Sequence, residues 1–240
     1  IDPVTLELKV SDWVQAGNTK YYFDTNGLSV KGSQRIDGAA YNFNNNFTLR
    51  TGELYWDWAY DGGRLRYVDP NTLDLKKGWL LLNGTGYFFD NNGLSVKGSQ
   101  RIDNAAYNFN DNFTLRTGEL YWDWAYDGGR LRYVDPGTLN LHKGWLDMSS
   151  ARYYFTTDGV TAKGWQQIGT NYYYFDTANF FGSTGGQRID NVAYNFNMDG
   201  SLRTGELYWD WAYDGGRLRY IVPGTNQLHK AVSYTHLRAH

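Results

Sequence analysis

Cysteine is absent from this chain of 240 residues, which excludes disulfides and thiolate zinc sites. Proline occurs only four times, and no apolar run approaches the ~18 residues that a membrane-spanning helix needs. Basic and acidic residues nearly balance, at 23 against 25, so the chain lacks the positive charge typical of nucleic-acid-binding proteins. We therefore predict no nucleic-acid partner and no membrane partner.

Aromatic residues are abundant instead, with 10 Trp, 21 Tyr and 12 Phe making up 18% of the chain. Aliphatic side chains are correspondingly few, so apolar burial has to come from rings, many of which carry a polar atom. Glycine adds 28 residues. This composition favours a thin, stacked structure over a thick globule with a large Leu/Ile/Val core.

Internal repeats organise the whole sequence. The stretch LRTGELYWDWAYDGGRLRY occurs three times without a change, at 49–67, 115–133 and 202–220. Tyr41 recurs as Tyr107 after 66 residues, and Tyr107 recurs as Tyr194 after 87. The excess of 21 corresponds to one smaller unit of about twenty residues inserted whole, such as Trp145–Gly164. An array that accepts such an insertion is typical of a solenoid, in which each unit contacts only its neighbours.

Each unit of about twenty residues reads as a β-hairpin, since β-forming residues dominate and no capped helical pattern is present. We expect Asp24-Thr25-Asn26-Gly27 to form the turn between an aromatic strand and a Leu-Ser-Val strand. In Asn44–Phe47, Asn is expected to take the left-handed position. The long unit is expected to pair strands 54–60 and 64–68 across Asp61-Gly62-Gly63. The predicted fold is all-β, a solenoid of about ten stacked hairpins.

The segments YYFDTNGLSVKG, YFFDNNGLSVKG and GWQQIGTNYYYFDTANF resemble the cell-wall-binding and glucan-binding repeats of Gram-positive surface proteins. They are most similar to the aromatic YG-type repeats of glucansucrases, and they are related to choline-binding repeats. The resemblance covers about residues 13–231. It implies stacked hairpins without catalytic activity, with sugar or teichoic-acid pockets between consecutive hairpins. It also implies that the module binds α-glucan and localises an extracellular or cell-surface enzyme.

The resemblance further implies a set of carbohydrate-binding residues. In glucan-binding members, a Tyr-x-Phe strand combines with a nearby Gln and Lys, and this chain repeats that pattern with a third copy that lacks the Lys. Trp79 and Trp165 are additional candidate rings. The predicted site residues are Lys31, Gln34 and Tyr41, then Lys97, Gln100 and Tyr107, then Gln187 and Tyr194, together with Trp79 and Trp165.

Two other binding functions remain open. Choline-binding repeats resemble G-W-x-x-x-x-G-x-W-Y-Y, in which rings hold a quaternary ammonium by cation–π attraction. Trp79 fits the first Trp of that pattern, but the second position holds Gly86, Arg152 or Tyr172 in the three candidate units. The alternatives to glucan are therefore choline, teichoic acid or another cell-wall polymer, or a structural or adhesive spacer.

Catalytic and metal sites are weakly indicated. Asp57 and Asp61 recur in every copy and would suit a glycoside hydrolase, but an active site gains nothing from three copies, and the second Asp has an ordinary turn role. The Asp24 segment lacks the remaining ligands of a calcium loop. We expect no catalytic residue, no metal and no cofactor.

The sequence also suggests domain bounds. We expect one repeat solenoid over residues 1–231, followed by a non-native tail, VSYTHLRAH at 232–240, that resembles a translated sequencing adapter. The chain starts at Ile1 without a leader, so we expect it to be part of a larger protein that is secreted or held at the cell surface. The partner is expected to be a polysaccharide.

Overall fold

The computed structural model describes residues 8–58, 63–124, 129–149, 151–211 and 217–229, and over these residues all regular structure is β. The predicted all-β repeat fold is confirmed. Within the described residues, twenty strands form ten separate two-stranded antiparallel sheets, each from consecutive strands. The strands are β1 Asp12–Ala16, β2 Thr19–Phe23, β3 Gly32–Ile36, β4 Ala39–Phe43, β5 Leu54–Asp57, β6 Arg64–Tyr67, β7 Gly78–Leu82, β8 Thr85–Phe89, β9 Gly98–Ile102, β10 Ala105–Phe109, β11 Leu120–Asp123, β12 Arg130–Tyr133, β13 Gly144–Met148, β14 Ala151–Phe155, β15 Gly164–Ile168, β16 Asn171–Phe175, β17 Gly185–Ile189, β18 Val192–Phe196, β19 Leu207–Asp210 and β20 Arg217–Tyr220.

The chain divides into two compact units. The first comprises Ile1–Glu119 with Trp124–Tyr126, and the second comprises Leu120–Asp123 with Asp127–His240. Each unit is described by itself below. The single solenoid over residues 1–231 stays a prediction, and the segment 232–240 lies outside the described residues.

The hairpin turn falls at a different place from the one predicted. Strand β1 pairs with β2 across Gly17-Asn18, so the aromatic run Tyr21–Phe23 belongs to the second strand of its hairpin. Beyond Asp24–Gly27, the chain makes only one β-bridge back, from Ser29 to Phe23. The Leu-Ser-Val segment is too short for a strand, because the next hairpin already begins at Gly32. The D-x-N-G sequence is thus a connector between hairpins.

The expectation that Asn takes the left-handed conformation at 44–47 is also wrong. Phe47 holds φ +68°, and the equivalent Phe113 holds the same angle. Asn46 instead accepts a 2.7 Å hydrogen bond from the Thr48 hydroxyl. A left-handed non-glycine residue costs roughly 1–2 kcal/mol. At Phe113 the cost is offset by packing, because the ring is buried and meets Trp56 at 5.8 Å between centroids.

Consecutive hairpins within each unit are joined by main-chain hydrogen bonds. The Leu49 N–H donates to the Lys20 carbonyl at 2.9 Å, and the Leu115 N–H donates to the Gly86 carbonyl at 2.9 Å. The second unit repeats this bond from Leu202 to Tyr172 at 2.7 Å. In six of the hairpins outside the longer repeat units, the Phe that ends the second strand is buried. These residues are Phe43, Phe89, Phe109, Phe155, Phe175 and Phe196.

The hairpins β5–β6, β11–β12 and β19–β20 belong to the longer repeat units, and we call them the long hairpins. In their first strands, buried and exposed side chains alternate. In β5, Tyr55 and Asp57 are buried, while Trp56 points to solvent. The Tyr55 hydroxyl donates to the Ala40 carbonyl of the preceding hairpin at 3.0 Å. The predicted pairing across the DGG turn is confirmed over Leu54–Asp57 and Arg64–Tyr67, and residues 59–62 lie outside the described residues.

A buried ion pair joins the long hairpin to both of its neighbours. Asp57 accepts from Arg66 Nε, and both side chains are almost fully buried. The Ala40 N–H points at Asp57 Oδ2 from the preceding hairpin, at 3.5 Å. Arg66 Nη1 reaches forward to the Asn92 carbonyl at 2.5 Å. The second unit repeats the ion pair in Asp123–Arg132 and Asp210–Arg219.

We predict that Asp57→Ala lowers the free energy of unfolding by about 3–5 kcal/mol, because it leaves the Arg66 guanidinium buried without its carboxylate. Urea denaturation followed by circular dichroism measures the effect. The matched control is Glu53→Ala, which removes the exposed ion pair with Arg50 and should cost no more than about 1 kcal/mol. Equal costs for the two variants would contradict the structural role assigned to the buried pair.

Alkaline pH should weaken the fold through its buried tyrosines. Burial raises the pKa of Tyr208 from 10.0 to about 12, although nearby Arg219 acts in the opposite direction. A raised folded-state pKa means that the stabilisation is complete below pH 10 and is lost as the pH rises toward 12. Unfolding at a series of pH values, with tyrosinate absorbance recorded in parallel, measures this loss. Tyr208→Phe should make the decline shallower, and a stability that stays level up to pH 12 would contradict the interpretation.

Candidate carbohydrate-binding site

The structure brings each predicted Gln and Tyr together. Gln34 lies directly opposite Tyr41 across the β3–β4 pair, so both side chains project from the same face. Gln100 faces Tyr107 and Gln187 faces Tyr194 in the same register.

The glutamine amides hold the connector before their own strand. Gln34 Nε2 donates to the Lys31 carbonyl at 2.9 Å, and Gln100 Nε2 donates to the Lys97 carbonyl at 2.8 Å. In the third copy Gln187 donates to the carbonyl of Thr184, which stands where the other copies have Lys. This bond leaves the amide oxygen available as an acceptor. The Lys31 and Lys97 side chains are exposed.

Each predicted tyrosine also packs against a tryptophan of the preceding hairpin. Trp79 meets Tyr107 edge-on at 5.0 Å between ring centroids and lies 6.0 Å from Phe109. Trp165 meets Tyr194 at 4.9 Å and lies 5.9 Å from Phe196. We call this arrangement, a Trp packed on the Tyr-x-Phe of the next hairpin, the aromatic joint.

Sequence reasoning missed two members of this set. Trp13 forms the joint with Tyr41, at 4.9 Å. A fourth joint pairs Trp145 with Tyr173 at 4.9 Å, and Gln166 lies opposite Tyr173 and donates to the Lys163 carbonyl at 3.0 Å. The Tyr-x-Phe spacing of Tyr173 and Phe175 was the signal that could have found it.

Two of the predicted tyrosines line clefts. A cleft of about 340 Å³ has Tyr41 on one wall, with Lys77, Asn91 and Asn92 among its other lining residues. Gln34 and Lys31 do not line it. The cleft beside Tyr194, of about 600 Å³, is lined by Asn226, Gln227 and His229 among others. A ring beside amide and ammonium groups is the chemistry that a sugar requires, since a sugar offers C–H faces and hydroxyls.

The tyrosine hydroxyls stay protonated in these clefts over the ordinary pH range. Burial raises the pKa of Tyr41 above its usual value, and Asp74 and Asp37 act in the same direction against Arg66. Burial likewise raises the pKa of Tyr194. Both hydroxyls can therefore donate as well as accept a hydrogen bond.

Two of the joint tryptophans are already covered by cations of the chain itself. The guanidinium carbon of Arg152 lies 4.2 Å from the Trp145 ring centroid, and Lys20 Nζ lies 5.0 Å from that of Trp13. Such contacts stabilise the pair by cation–π attraction. A quaternary ammonium at either ring face would have to displace that cation.

The acidic residues considered for hydrolysis or metal binding have structural roles. Asp57 is buried in its ion pair with Arg66, and Asp61 lies outside the described residues. Asp24 Oδ1 accepts the N–H groups of Asn26 and Leu28 at 2.8 and 2.9 Å, which makes it a turn residue. Over the described part of the chain, no cluster of His, Asp and Glu could hold a metal ion, and no helix is long and apolar enough to cross a membrane.

These features define a class of protein by its fold, a series of β-hairpin repeats with aromatic joints. The family described as "Putative cell wall binding repeat" matches residues 11–28 and 163–178. Two segments of the chain are thus similar to this repeat, and the predicted resemblance to cell-wall-binding and glucan-binding repeats is confirmed by the sequence relatives.

Both relatives are named Glucosyltransferase-S. The one from Streptococcus downei is 27% identical over 154 residues, which cover 63% of this chain and 11% of the relative. The one from Streptococcus mutans serotype c is 26% identical over 223 residues, covering 92% of this chain and 13% of the relative. The chain therefore spans little more than a tenth of the length of these relatives.

A solved structure shares the fold. The choline-binding domain of CbpL from Streptococcus pneumoniae superposes with a TM-score of 0.52 at 20% identity, covering 81% of this chain and 97% of that domain. At this identity the likeness shows the hairpin-repeat fold alone.

We predict that Tyr41→Ala lowers the free energy of unfolding by about 1–2 kcal/mol, because the half-buried ring packs on Trp13. Tyr41→Phe keeps the ring contact and should change stability by no more than about 0.5 kcal/mol. Urea unfolding monitored by tryptophan fluorescence measures both. An unchanged midpoint for Tyr41→Ala would show that the ring does not contribute to packing.

Proposed function

We propose that this chain is a non-catalytic module that binds a neutral polysaccharide, with α-glucan as the ligand. The observation that carries the proposal is the cleft that Tyr41, with its half-buried ring, lines together with Lys77, Asn91 and Asn92. A pyranose ring can place its C–H face on the tyrosine and its hydroxyls against the ammonium and the amides. The similarity to Glucosyltransferase-S supports a glucan as the polymer.

We assign the predicted residues to two tasks. Tyr41, Tyr107 and Tyr194 contact the sugar, and Gln34, Gln100 and Gln187 present their amide oxygens on the same face. Trp79 and Trp165 support the tyrosines through the aromatic joint and extend the apolar surface, since Trp79 is 38% exposed. Lys31 and Lys97 remain proposed hydroxyl ligands at the edge of this face, and Lys77 joins them from within the cleft.

A binding module of this kind acts by localisation. The chain spans little more than a tenth of Glucosyltransferase-S, so we propose that it belongs to a larger protein whose other part carries the chemistry. Repeated sites suit that task, because weak sites linked on one chain hold a polymer far more tightly than a single site does. We place the protein outside the cell or at its surface, where such polymers are found.

A choline-bearing cell-wall polymer is the second candidate ligand. One observation favours it, which is that the partly exposed Trp79 has two aromatic neighbours. Its ring centroid lies 5.2 Å from that of Phe88 and 5.0 Å from that of Tyr107. Against this, Arg152 and Lys20 cover the equivalent Trp145 and Trp13 rings. The neutral sugar is therefore the stronger proposal.

Affinity electrophoresis through gels containing dextran tests the proposal. The parent chain should be retarded by dextran, and the triple variant Tyr41→Ala, Tyr107→Ala, Tyr194→Ala should lose most of that retardation. Each stacking ring is worth ~1–3 kcal/mol, by analogy with base–aromatic stacking. The measurement is made well below the melting transition, because these rings also pack.

Tyr153→Ala is the matched control, since it removes a buried tyrosine that packs on Phe181 and lines neither cleft. It should lower the melting temperature without changing the retardation. A parent that ignores dextran and other glucans but melts at a higher temperature with choline would replace glucan with the second candidate. A parent that responds to neither ligand would leave the module as a structural spacer.

A further inference from the structure

Six tryptophans of the long hairpins are exposed to solvent. Trp56 and Trp58 are 60% and 61% exposed, and Trp209 and Trp211 are 66% and 61% exposed. Trp122 and Trp124 show 57% and 62%. Strand alternation explains their direction, because Tyr55 and Asp57 fill the inward positions of the same strand. Tryptophan is the largest apolar side chain, so adjacent exposed pairs are unusual on a protein without a binding partner.

The exposed indoles are held in place along one edge. A Cβ atom added at Gly63 would lie 3.2 Å from Trp56 Cζ3, so this ring lies directly on the glycine backbone. Trp56 also meets Phe113 in a T-shaped contact, with 5.8 Å between ring centroids. In the second unit, Trp211 Nε1 lies 3.0 Å from the Cβ position of Gly186. Because these contacts limit the motion of Trp56 and Trp211, the two side chains lose little freedom when a ligand stacks on them.

The charges next to the indoles are paired within the chain. Arg50 binds Glu53 through two hydrogen bonds of 2.7 Å, immediately before β5. Arg203 and Glu206 repeat this arrangement before β19, at 2.6 and 2.9 Å. Each of these pairs adds no net charge beside the strand that carries the indoles, which favours a neutral ligand over an ion.

The tryptophans lie in a block that is identical in all three copies, from Leu49 to Tyr67 in the first. Beyond this block the copies diverge at the surface, where the exposed Asn71 corresponds to Gly137. An outward side chain does not pack in the core, so the fold alone does not require Trp at both outward positions of every copy. A surface repeated three times on one chain fits a ligand that itself repeats, which is a polymer.

We infer that the paired indoles, Trp56 with Trp58 and Trp209 with Trp211, form a second carbohydrate-binding surface that stacks on the pyranose faces of a neutral polysaccharide. The inference rests on the proposed function but concerns a surface separate from the tyrosine clefts. Indole rings supply the flat apolar area for the sugar C–H faces, and their N–H groups can donate to hydroxyls.

Two triple variants of the full chain test this surface. The first is Trp58→Ala, Trp124→Ala, Trp211→Ala, and the second replaces the same residues with Phe. The Ala variant should bind dextran roughly tenfold more weakly or worse in affinity electrophoresis, whereas the Phe variant should recover part of the loss because it keeps a ring. Leu81→Ala with Met198→Ala is the control, since it removes exposed apolar side chains outside the long hairpins.

Fluorescence separates the two surfaces. Dextran should shift the tryptophan emission of the parent to shorter wavelength, and this shift should shrink in the Ala variant at an unchanged melting temperature. If the Ala variant binds dextran as well as the parent does, this inference is overturned and the proposed function stays intact. A parent that binds no polysaccharide would overturn both.

Self-association is the remaining outcome that would overturn the inference. If sedimentation shows a parent dimer that the Ala variant converts to a monomer, while dextran retardation stays the same, the indoles bind a second copy of the chain and not a sugar.

Discussion

The buried Asp–Arg ion pair is the interaction on which the long hairpins depend. Asp57 and Arg66 sit almost without solvent, and that burial is acceptable only because their remaining polar atoms find partners. Those partners lie in other hairpins: the Ala40 N–H precedes the pair and the Asn92 carbonyl follows it. The buried ion pair thus holds neighbouring hairpins together at a place where the chain has few aliphatic residues to form an apolar core. It also fixes the register of β5 and β6, and with it the outward direction of the tryptophans.

The aromatic rings have two roles that the packing separates. In the aromatic joints, a Trp packs on the Tyr-x-Phe of the next hairpin, and in two of them the tyrosine, Tyr41 or Tyr194, also lines a cleft. In the long hairpins, Tyr55 turns inward and uses its hydroxyl to hold the previous hairpin, while its tryptophan neighbours turn outward. Fold and ligand recognition therefore draw on the same residue types, distinguished by strand alternation.

The sequence was sufficient for the fold class, because the 66- and 87-residue shifts and the recurrent turns define the units without any tertiary information. It was insufficient for the turns themselves. Gly17-Asn18 and Asp24–Gly27 both read as turns, and only the strand pairing shows which of them closes the hairpin. The positive φ of Phe113 was also hidden, since its cost is offset by a ring 57 residues earlier in the chain.

The candidate site was predictable in part for the same reason. Gln34 and Tyr41 are close in sequence, so their pairing follows from the hairpin pattern. Lys77, Asn91 and Asn92 come from later hairpins, and no local pattern links them to Tyr41. The roles of Arg152 and Lys20 above tryptophan rings likewise depend on three-dimensional contacts.

Neighbouring hairpins are held together by two different kinds of side-chain contact, and this limits where the chain can gain or lose a repeat unit. A short hairpin that starts with Trp and ends with Tyr-x-Phe carries both halves of the aromatic joint, as β15–β16 does through Trp165 and Tyr173–Phe175. It can therefore be added between two others without altering either. A long hairpin carries neither half of the joint. Its Tyr55 hydroxyl donates a hydrogen bond to the Ala40 carbonyl of the preceding hairpin, and its Arg66 donates one to the Asn92 carbonyl, which follows the next hairpin. Growth by one unit is thus permitted at the joints, which is where the 21-residue excess lies, whereas a long hairpin can be copied only together with the short hairpins on either side.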